Sequence, residues 1–279
     1  GIEKILLEYK PDFVIVYGDT NSTLAGSLVA KKLHIPLAHV EAGLRSYNLK
    51  MPEEINRILT DRISDILFCP TDKAVANLNV EGFENYNCEI LNTGDIMFDV
   101  ALHYSKKAIK PNFKLPGTYI LATIHREENT NSKDNLAEII KGFEIIGQHT
   151  PLILPLHPRT KKMLKLFDIT LNESAIYVIN PVSYLEMVYL IKNCEIVVTD
   201  SGGLQKEAYF FQKNCVTIRN ETEWVELVNA GYNALSPTNK DKIIINIKEM
   251  LNRKKTFKES FYGNGDSSKK ILNAILAYK

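Results

Sequence analysis

No apolar run in the 279 residues approaches the ~20 needed to cross a bilayer, so no membrane partner is expected. Cysteine is scarce and scattered. Cys69, Cys88, Cys194 and Cys215 stand far apart, which excludes a C-x-x-C metal or redox motif and does not suggest a disulfide framework. Reduced thiols in a cytoplasm are the expectation. An excess of one charge is also missing: 34 Lys and Arg oppose 33 Asp and Glu, for a formal net charge of +1. A nucleic-acid-binding surface is therefore not favoured, and any anion is expected in a focused site. There is no internal repeat and no low-complexity tract. What remains is 45% apolar and 24% charged, enough to build a core and long enough for two domains of ordinary size.

Short β-branched runs alternate with helical patterns along the chain. "DFVIVYGDT" (12–20), "IPLAHVEAG" (35–43) and "DILFCPTD" (65–72) are separated by helix-like "STLAGSLVAKKLH" and "EEINRILTDRIS". That rhythm predicts a parallel sheet with crossover helices. A stretch with Pro111 and Pro116, "KKAIKPNFKLPGT" (106–118), reads as a linker. The rhythm resumes in "YILATIHREE", "PLILPLHPR", "AIYVINPVS", "EIVVTDSGG" and "NCVTIRNET", and "KKILNAILAYK" reads as a closing helix. The fold class expected is α/β, with two doubly wound, Rossmann-like units: residues 1–98 completed by 259–279, and residues 99–258.

Polar residues stand at the predicted strand ends. Asp19, Glu41 and Asp72 follow the first three strands, while His125, His157, Asp200 and Glu223 follow strands of the second unit. Ligands of open parallel sheets bind outside the carboxyl ends of the strands. In "TDSGGLQKEA" (199–208), Gly202 and Gly203 lack a Cβ, so a ligand can approach the main chain. The helix that follows offers unpaired N–H groups and the positive end of its dipole. A diphosphate would fit there. Ser201 would donate to it or simply cap the helix, and Glu207, about one turn beyond Gly203, would aim at ribose hydroxyls or sit solvated in a first turn.

The ordered set "YGDTNSTLAG", "HVEAGLRS", "MPEEINR", "NTGD", "IHREEN", "LPLHPR", "TDSGGLQKEA" and "ETEWVE" resembles the non-hydrolysing UDP-N-acetylglucosamine 2-epimerase family, over about residues 11–231. The resemblance implies a glycosyltransferase-B-like fold with a UDP-sugar in the interdomain cleft, a homodimer, and neither nicotinamide nor catalytic metal. It also implies a chemistry: the C1–O bond to UDP breaks, C2 loses its proton to give a 2-acetamidoglucal, and reprotonation on the opposite face with return of UDP inverts C2. By motif match, Asp19, Glu41 and Glu53 are the acid and base carboxylates, with His125 as a further acid, base or phosphate contact. Arg45, Arg57, Arg126, His157, Ser201, Gly202, Gly203 and Glu207 fall on substrate-binding positions.

Residue chemistry qualifies these matches. An acid ending the apolar "IPLAHV" is costly to bury without a purpose, which singles out Glu41. Asp19 would also serve as a helix cap. Glu53 and Glu54 begin a helix where acids are favoured, so one of them is expected to be structural, and Arg57, one turn on, has the spacing to pair with Glu53. His39 reads as a hydrogen-bonded core histidine, and Arg45 as an anion-steering or surface residue.

Two departures from the family pattern stand out. Where bacterial members commonly carry Arg-Pro after "TE", this chain has Trp224 and Val225, which resembles archaeal members and relatives acting on 2,3-diacetamido uronic acid nucleotides. The glycine-containing basic loop that opens family members has no match, and "IEKILLEYK" reads as the middle of the first domain. The expectation is thus an N-terminally incomplete epimerase of little or no activity with an exposed sheet edge. The alternatives are an epimerase for the diacetamido sugar, a hydrolysing relative or glycosyltransferase, and an inactive sugar-nucleotide-binding remnant.

Overall fold

A computed structural model describes residues 1–254 and 256–278. The chain divides into two compact units, Gly1–Val100 with Glu259–Lys279, and Ala101–Lys258.

Unit 1 runs α1 (Ile2–Tyr9), β1 (Val14–Tyr17), α2 (Asn21–Lys32), β2 (Leu37–Val40), α3 (Pro52–Ile63), β3 (Ile66–Cys69), α4 (Asp72–Val80), β4 (Glu89–Asn92) and the start of α5 (Ile96–Ser105). Its four strands pair in parallel in the order β1-β2-β3-β4. The central strands β2 and β3 are buried at every position, whereas the edge strands β1 and β4 are not. Central strands covered on both faces therefore read as continuous apolar runs, and β4 ("EILN"), half-exposed, does not. That is why β4 is not among the predicted strands.

The chain returns to unit 1 as α13 (Ser267–Ala277), whose Ile271, Ala274 and Ile275 pack with Ala38, Val40, Ile66 and Phe68. Asp99 caps it by accepting from the amides of Ser267 (3.1 Å) and Ser268 (2.8 Å). The glycine of "NTGD" has a steric reason here. Gly94 lies at φ +80, and a Cβ would meet the Ser267 hydroxyl and the Tyr262 carbonyl at 2.8 Å.

Unit 2 contributes β5 (Ile120–Thr123), α6 (Glu127–Thr130), α7 (Lys133–Gly147), β6 (Leu152–Pro155), α8 (Pro158–Leu166), β7 (Ile176–Ile179), α9 (Tyr184–Asn193), β8 (Ile196–Thr199), α10 (Gly202–Phe210), β9 (Asn214–Thr217), α11 (Val225–Asn229), β10 (Asn233–Leu235) and α12 (Lys240–Asn252). The sheet is parallel, ordered β10-β9-β8-β5-β6-β7. The order reverses beside β5, the kind of switch point at which ligands bind. One core cluster packs Ile139, Phe143 and Ile243 on one side of this sheet, and another gathers Leu121, Leu190 and Val197. The stretch 106–118 is not a free linker. It is irregular, but Phe113 and Leu115 pack against the second cluster and the Ile109 amide donates to Leu185 at 3.1 Å. Apolar side chains anchor it despite its prolines. Like β4, the edge strand β10 ("NAL") is too short and polar to read from sequence.

Candidate active site

At the strand ends of unit 1, the β1–α2 loop turns through Gly18 (φ +63), whose amide bonds the Val40 carbonyl at 3.0 Å. Thr20, not Asp19, caps α2, through a reciprocal capping box with Thr23. Asp19 is thereby left for other work. Its Oδ2 accepts from Arg57 Nη2 at 2.5 Å, with its side chain 30% exposed. Glu41 follows β2 with φ +76, a left-handed backbone unusual for glutamate and of the kind that collects at functional sites. Amides of Glu41 and Ala42 both donate to Phe68 O at 3.1 Å and hold that turn. The Glu41 carboxylate lies over Gly18, with Oε2 3.6 Å from where a Cβ would stand. Asp19 and Glu41 therefore share one rim.

Beneath it runs a buried chain of charge. His39 is wholly buried, with Nδ1 2.6 Å from Asp61 Oδ1 and Nε2 2.7 Å from the Gly18 carbonyl. Both partners accept, so both ring nitrogens donate and the ring is an imidazolium. Burial opposes that charge, but the adjacent Asp61 carboxylate, the two hydrogen bonds and Glu41 prevail, and His39 titrates above its ordinary range. Asp61 also accepts from the Gly43 amide at 3.1 Å and from Arg45 Nη1 at 2.7 Å. Arg45 needs correcting. It is neither at the surface nor open to an anion: 4% exposed, it spends Nε and Nη2 on Glu81 and Nη1 on Asp61 and the Leu44 carbonyl.

Of the paired glutamates, Glu54 is the structural one. Wholly buried, it accepts from the amides of Ser46 and Tyr47 and from Arg57 Nη1 at 2.9 Å. Arg57 thus pairs with Glu54 and Asp19 rather than Glu53, because its side chain turns inward and is 4% exposed. It touches Asp19, not open solvent. Glu53 is half-buried, and its side chain makes no hydrogen bond among the described residues.

In unit 2 the organising group is Asp200, which the sequence places only at a strand end. It is fully buried after β8, and its carboxylate accepts from the amides of His125 (3.1 Å) and Arg126 (2.9 Å) and from Asn129 Nδ2 (3.0 Å). His125 Nδ1 lies 3.5 Å from it. The His125 ring sits 5.2 Å, centroid to centroid, from that of His157. His157 caps α8, its Nδ1 accepting from the Arg159 amide at 3.2 Å, which leaves Nε2 as the donor nitrogen of the neutral ring. Burial, His125 and Arg159 outweigh Asp200 and hold His157 below the usual imidazole range. Arg126 Nη1 is shielded and has no hydrogen-bond partner among the described residues, and the Glu128 carboxylate stands 3.8 Å away.

Ser201 caps α10 with a long 3.5 Å bond from the Leu204 amide. A Cβ at Gly202 would meet nothing closer than Trp224 Nε1 at 3.9 Å, so nothing in the fold itself calls for glycine there. The space is open for a ligand. Ser201, Gly203, His125, His157, Thr123 and Glu207 line a cavity of about 300 Å³. Glu207 is not a solvated first-turn acid. At 8% exposure it bonds the Tyr184 hydroxyl, and burial raises its carboxyl although Tyr184 and Lys206 pull the other way. A larger groove of about 1160 Å³ follows the edge strand β7 and contains none of the predicted site residues.

Against this geometry, comparison with known proteins is decisive. The family model for UDP-N-acetylglucosamine 2-epimerase matches residues 1–276. The chain belongs to that family. A Pseudomonas aeruginosa UDP-2,3-diacetamido-2,3-dideoxy-D-glucuronate 2-epimerase is 49% identical over 98% of this chain and 77% of its own. A Methanococcus maripaludis UDP-N-acetylglucosamine 2-epimerase homolog is 51% identical over 98% of this chain and 78% of its own. The crystal structure of Methanocaldococcus jannaschii UDP-GlcNAc 2-epimerase, in complex with UDP-GlcNAc and UDP, matches at TM-score 0.91 and 44% identity, covering 99% of this chain and 79% of that one. The fold is thereby glycosyltransferase-B-like, two parallel-sheet α/β domains. Among the described residues no helix is long and apolar enough to cross a membrane, and no cluster of three or more His, Cys, Asp or Glu is arranged for a metal ion. The four cysteines are unpaired, and burial pushes the thiols of Cys194 and Cys215 up to about 12.

Proposed function

We propose that the chain interconverts UDP-N-acetylglucosamine and UDP-N-acetylmannosamine by inverting C2, for surface polysaccharide precursors. The observation that carries this reading is the unit 2 cavity. A helix N-terminus with an open glycine, two imidazoles and a buried carboxylate converge on one small space, the donor and acceptor set that a nucleoside diphosphate needs. Family membership supplies the reaction.

C2 of the sugar is not adjacent to a carbonyl, so direct deprotonation is too slow. The C1–O bond breaks first, its electron pair leaving with the β-phosphate oxygen. Amides of the Ser201–Gly203 turn, His157 Nε2–H and Arg126 stabilise that charge where it develops. The cationic C1 acidifies C2–H, a carboxylate removes the proton, and the C1–C2 double bond of the glucal forms. A second carboxyl group, in its protonated form, delivers its proton to the opposite face of C2 while UDP re-adds at C1, and is left as the carboxylate. No electrons are lost or gained. Asp19, Glu41 and Glu53 are the carboxylates in question, and Glu207 accepts from the ribose hydroxyls. Arg57 Nη2 donates to Asp19 and fixes where its carboxylate stands.

A second sugar has direct support, since the 49% identical Pseudomonas aeruginosa relative is an epimerase of the 2,3-diacetamido glucuronate nucleotide. Incubation of each nucleotide in heavy water, read by mass and NMR, separates the readings. Deuterium at C2 with UDP still attached is expected, on whichever sugar fits better. Free UDP with free N-acetylmannosamine would mean hydrolysis, turnover only with an acceptor a glycosyltransferase, and binding without exchange a remnant. We further infer a cytoplasmic homodimer, which sedimentation and fractionation would test.

A further inference from the structure

Two turns of unit 1 carry acids of the rim, Asp19 after β1 and Glu41 after β2. Each includes a glycine of left-handed backbone, Gly18 at φ +63 and Gly43 at φ +78. Glycine leaves such a turn soft. The peptide that joins Gly18 to Asp19 is a rigid plane, so its rotation would swing the Asp19 amide and Cα together. For carboxylates that must address opposite faces of one carbon, that rotation matters, because a misplacement of about 1 Å can cost a hundredfold in rate.

One buried pair restrains both turns. His39 Nε2 donates to the Gly18 carbonyl at 2.7 Å, which pins the peptide before Asp19, while Asn56 Nδ2 donates to the Asp19 carbonyl at 2.9 Å and pins the peptide after it. Through Nδ1 the same ring meets Asp61 Oδ1 at 2.6 Å, and Asp61 Oδ2 accepts from the Gly43 amide at 3.1 Å, just beyond Glu41. A continuous path of hydrogen bonds therefore runs from the turn of one acid to the turn of the other. Its two side chains, His39 and Asp61, are both 0% exposed, so water does not compete for these bonds. The ring is itself fixed, since it stands in β2 with Val16 of β1 and Leu67 of β3 in register on either side. Only a doubly protonated ring donates in both directions. A neutral one keeps its proton toward the Asp61 carboxylate and turns a lone pair on the Gly18 carbonyl.

We propose that His39 is a positioning residue for the epimerisation: its imidazolium, paired with Asp61, locks the Gly18–Asp19 peptide and sets the separation of the Asp19 and Glu41 carboxylates. It touches neither the sugar nor a reacting atom. The inference rests on reading these acids as the proton-handling groups, and it gives the histidine of "HVEAG" a role beyond filling the core.

The test compares His39→Asn with His39→Gln in the whole chain. Asparagine places its Nδ2 where the ring has Nδ1 and still reaches Asp61; glutamine places its Nε2 where the ring has Nε2 and still reaches Gly18. A role confined to pairing Asp61 makes asparagine the milder change. Locking of the peptide makes it the harsher one. Two readouts are taken: deuterium entry at C2 of UDP-N-acetylglucosamine with kcat and KM separated, and the NMR line width of the Asp19 amide, which needs no turnover. His39→Asn is expected to lower kcat about a hundredfold with KM held, and to broaden the Asp19 amide as its peptide samples more than one orientation. His39→Gln should stay within about tenfold of the unaltered chain and keep that amide sharp. Equal losses, the reverse order, or a sharp Asp19 amide in His39→Asn would overturn the inference. If the unaltered chain shows no exchange at all, the epimerase reading falls, and the amide widths still decide whether His39 locks the turn.

Should His39→Asn not fold, the unaltered chain supplies the same comparison on its alkaline side. The charged groups that face the ring are Asp61 from α3 and Glu41 from the turn after β2, with Arg45 beyond Asp61. Beside Asp61 the proton lost first is the one on Nε2, so the Asp19 amide should broaden as His39 titrates. A width that stays constant through that titration contradicts the proposal.

Discussion

Asp61 in unit 1 and Asp200 in unit 2 are both fully buried carboxylates beneath strand-end loops, and they are neutralised in opposite ways. Asp61 lies against the imidazolium of His39 and the guanidinium of Arg45. Asp200 is held mainly by neutral donors, the amides of His125 and Arg126 and the side chain of Asn129, with the His125 ring at 3.5 Å. The first arrangement costs the desolvation of three charged groups and is restored only by close mutual geometry; the second is a carboxylate cradled by N–H groups that need partners in any case. A rim built on paired charges is rigid but sensitive to pH and to loss of one partner. A rim built on amide donors depends on keeping one acceptor in place.

The sharpest way to break the comparison is Asp61→Ala, which takes the buried carboxylate from His39 and leaves Arg45 with Glu81 alone. It should destabilise unit 1 by about 3–5 kcal/mol, read as a lowered urea midpoint for that unit. Asp200→Asn removes an acceptor without stranding a cation at comparable depth, and is expected to cost about 1–3 kcal/mol in unit 2 and to weaken UDP. A larger cost for Asp200→Asn than for Asp61→Ala would show that the two carboxylates are not neutralised in these opposite ways.

Titration sharpens the same contrast. His39 is raised above its unfolded value of 6.5, so its contribution is complete below that value and drains as pH rises through the folded one. Asp61 is lowered, so its contribution exists above the unfolded carboxylate value and is lost as pH falls through its folded one. Unit 1 should therefore lose stability on the alkaline side, by up to about 1.4 kcal/mol per pH unit. His39→Gln should flatten that decline; an unchanged alkaline slope would show that His39 is not the imidazolium assigned. The smallest effect is expected at Ser201→Ala. Its capping bond is long, 3.5 Å, so the stability cost should be under about 1 kcal/mol while UDP affinity falls several-fold.

The central strands were legible because both faces are covered and their apolar runs are continuous, as in "ILFC" and "IVVT". The same physics hid β4 and β10, which lie at edges and carry polar residues. Motif spacing placed Asp19, Glu41, Ser201 and Glu207 at strand or helix ends. It could not distinguish Glu54 from Glu53, since the difference lies in which side chain meets the amides of Ser46 and Tyr47, a tertiary contact. Arg45 went astray for the same reason, because its partner Glu81 is 36 residues away. Asp61 sits in the last turn of α3 and Lys206 next to a motif glutamate, and neither position signals burial by itself. Only an acid or base at an unexpected depth would have pointed to them, and depth is not written in local sequence.

The account divides the chemistry between proton-handling carboxylates in unit 1 and nucleotide-holding groups in unit 2. Glu41→Gln tests it most directly, with UDP titration and deuterium incorporation at C2 measured on the same preparation. UDP should bind as it does to the unaltered chain while exchange at C2 disappears. Exchange that persists, or UDP affinity lost together with it, would contradict the division.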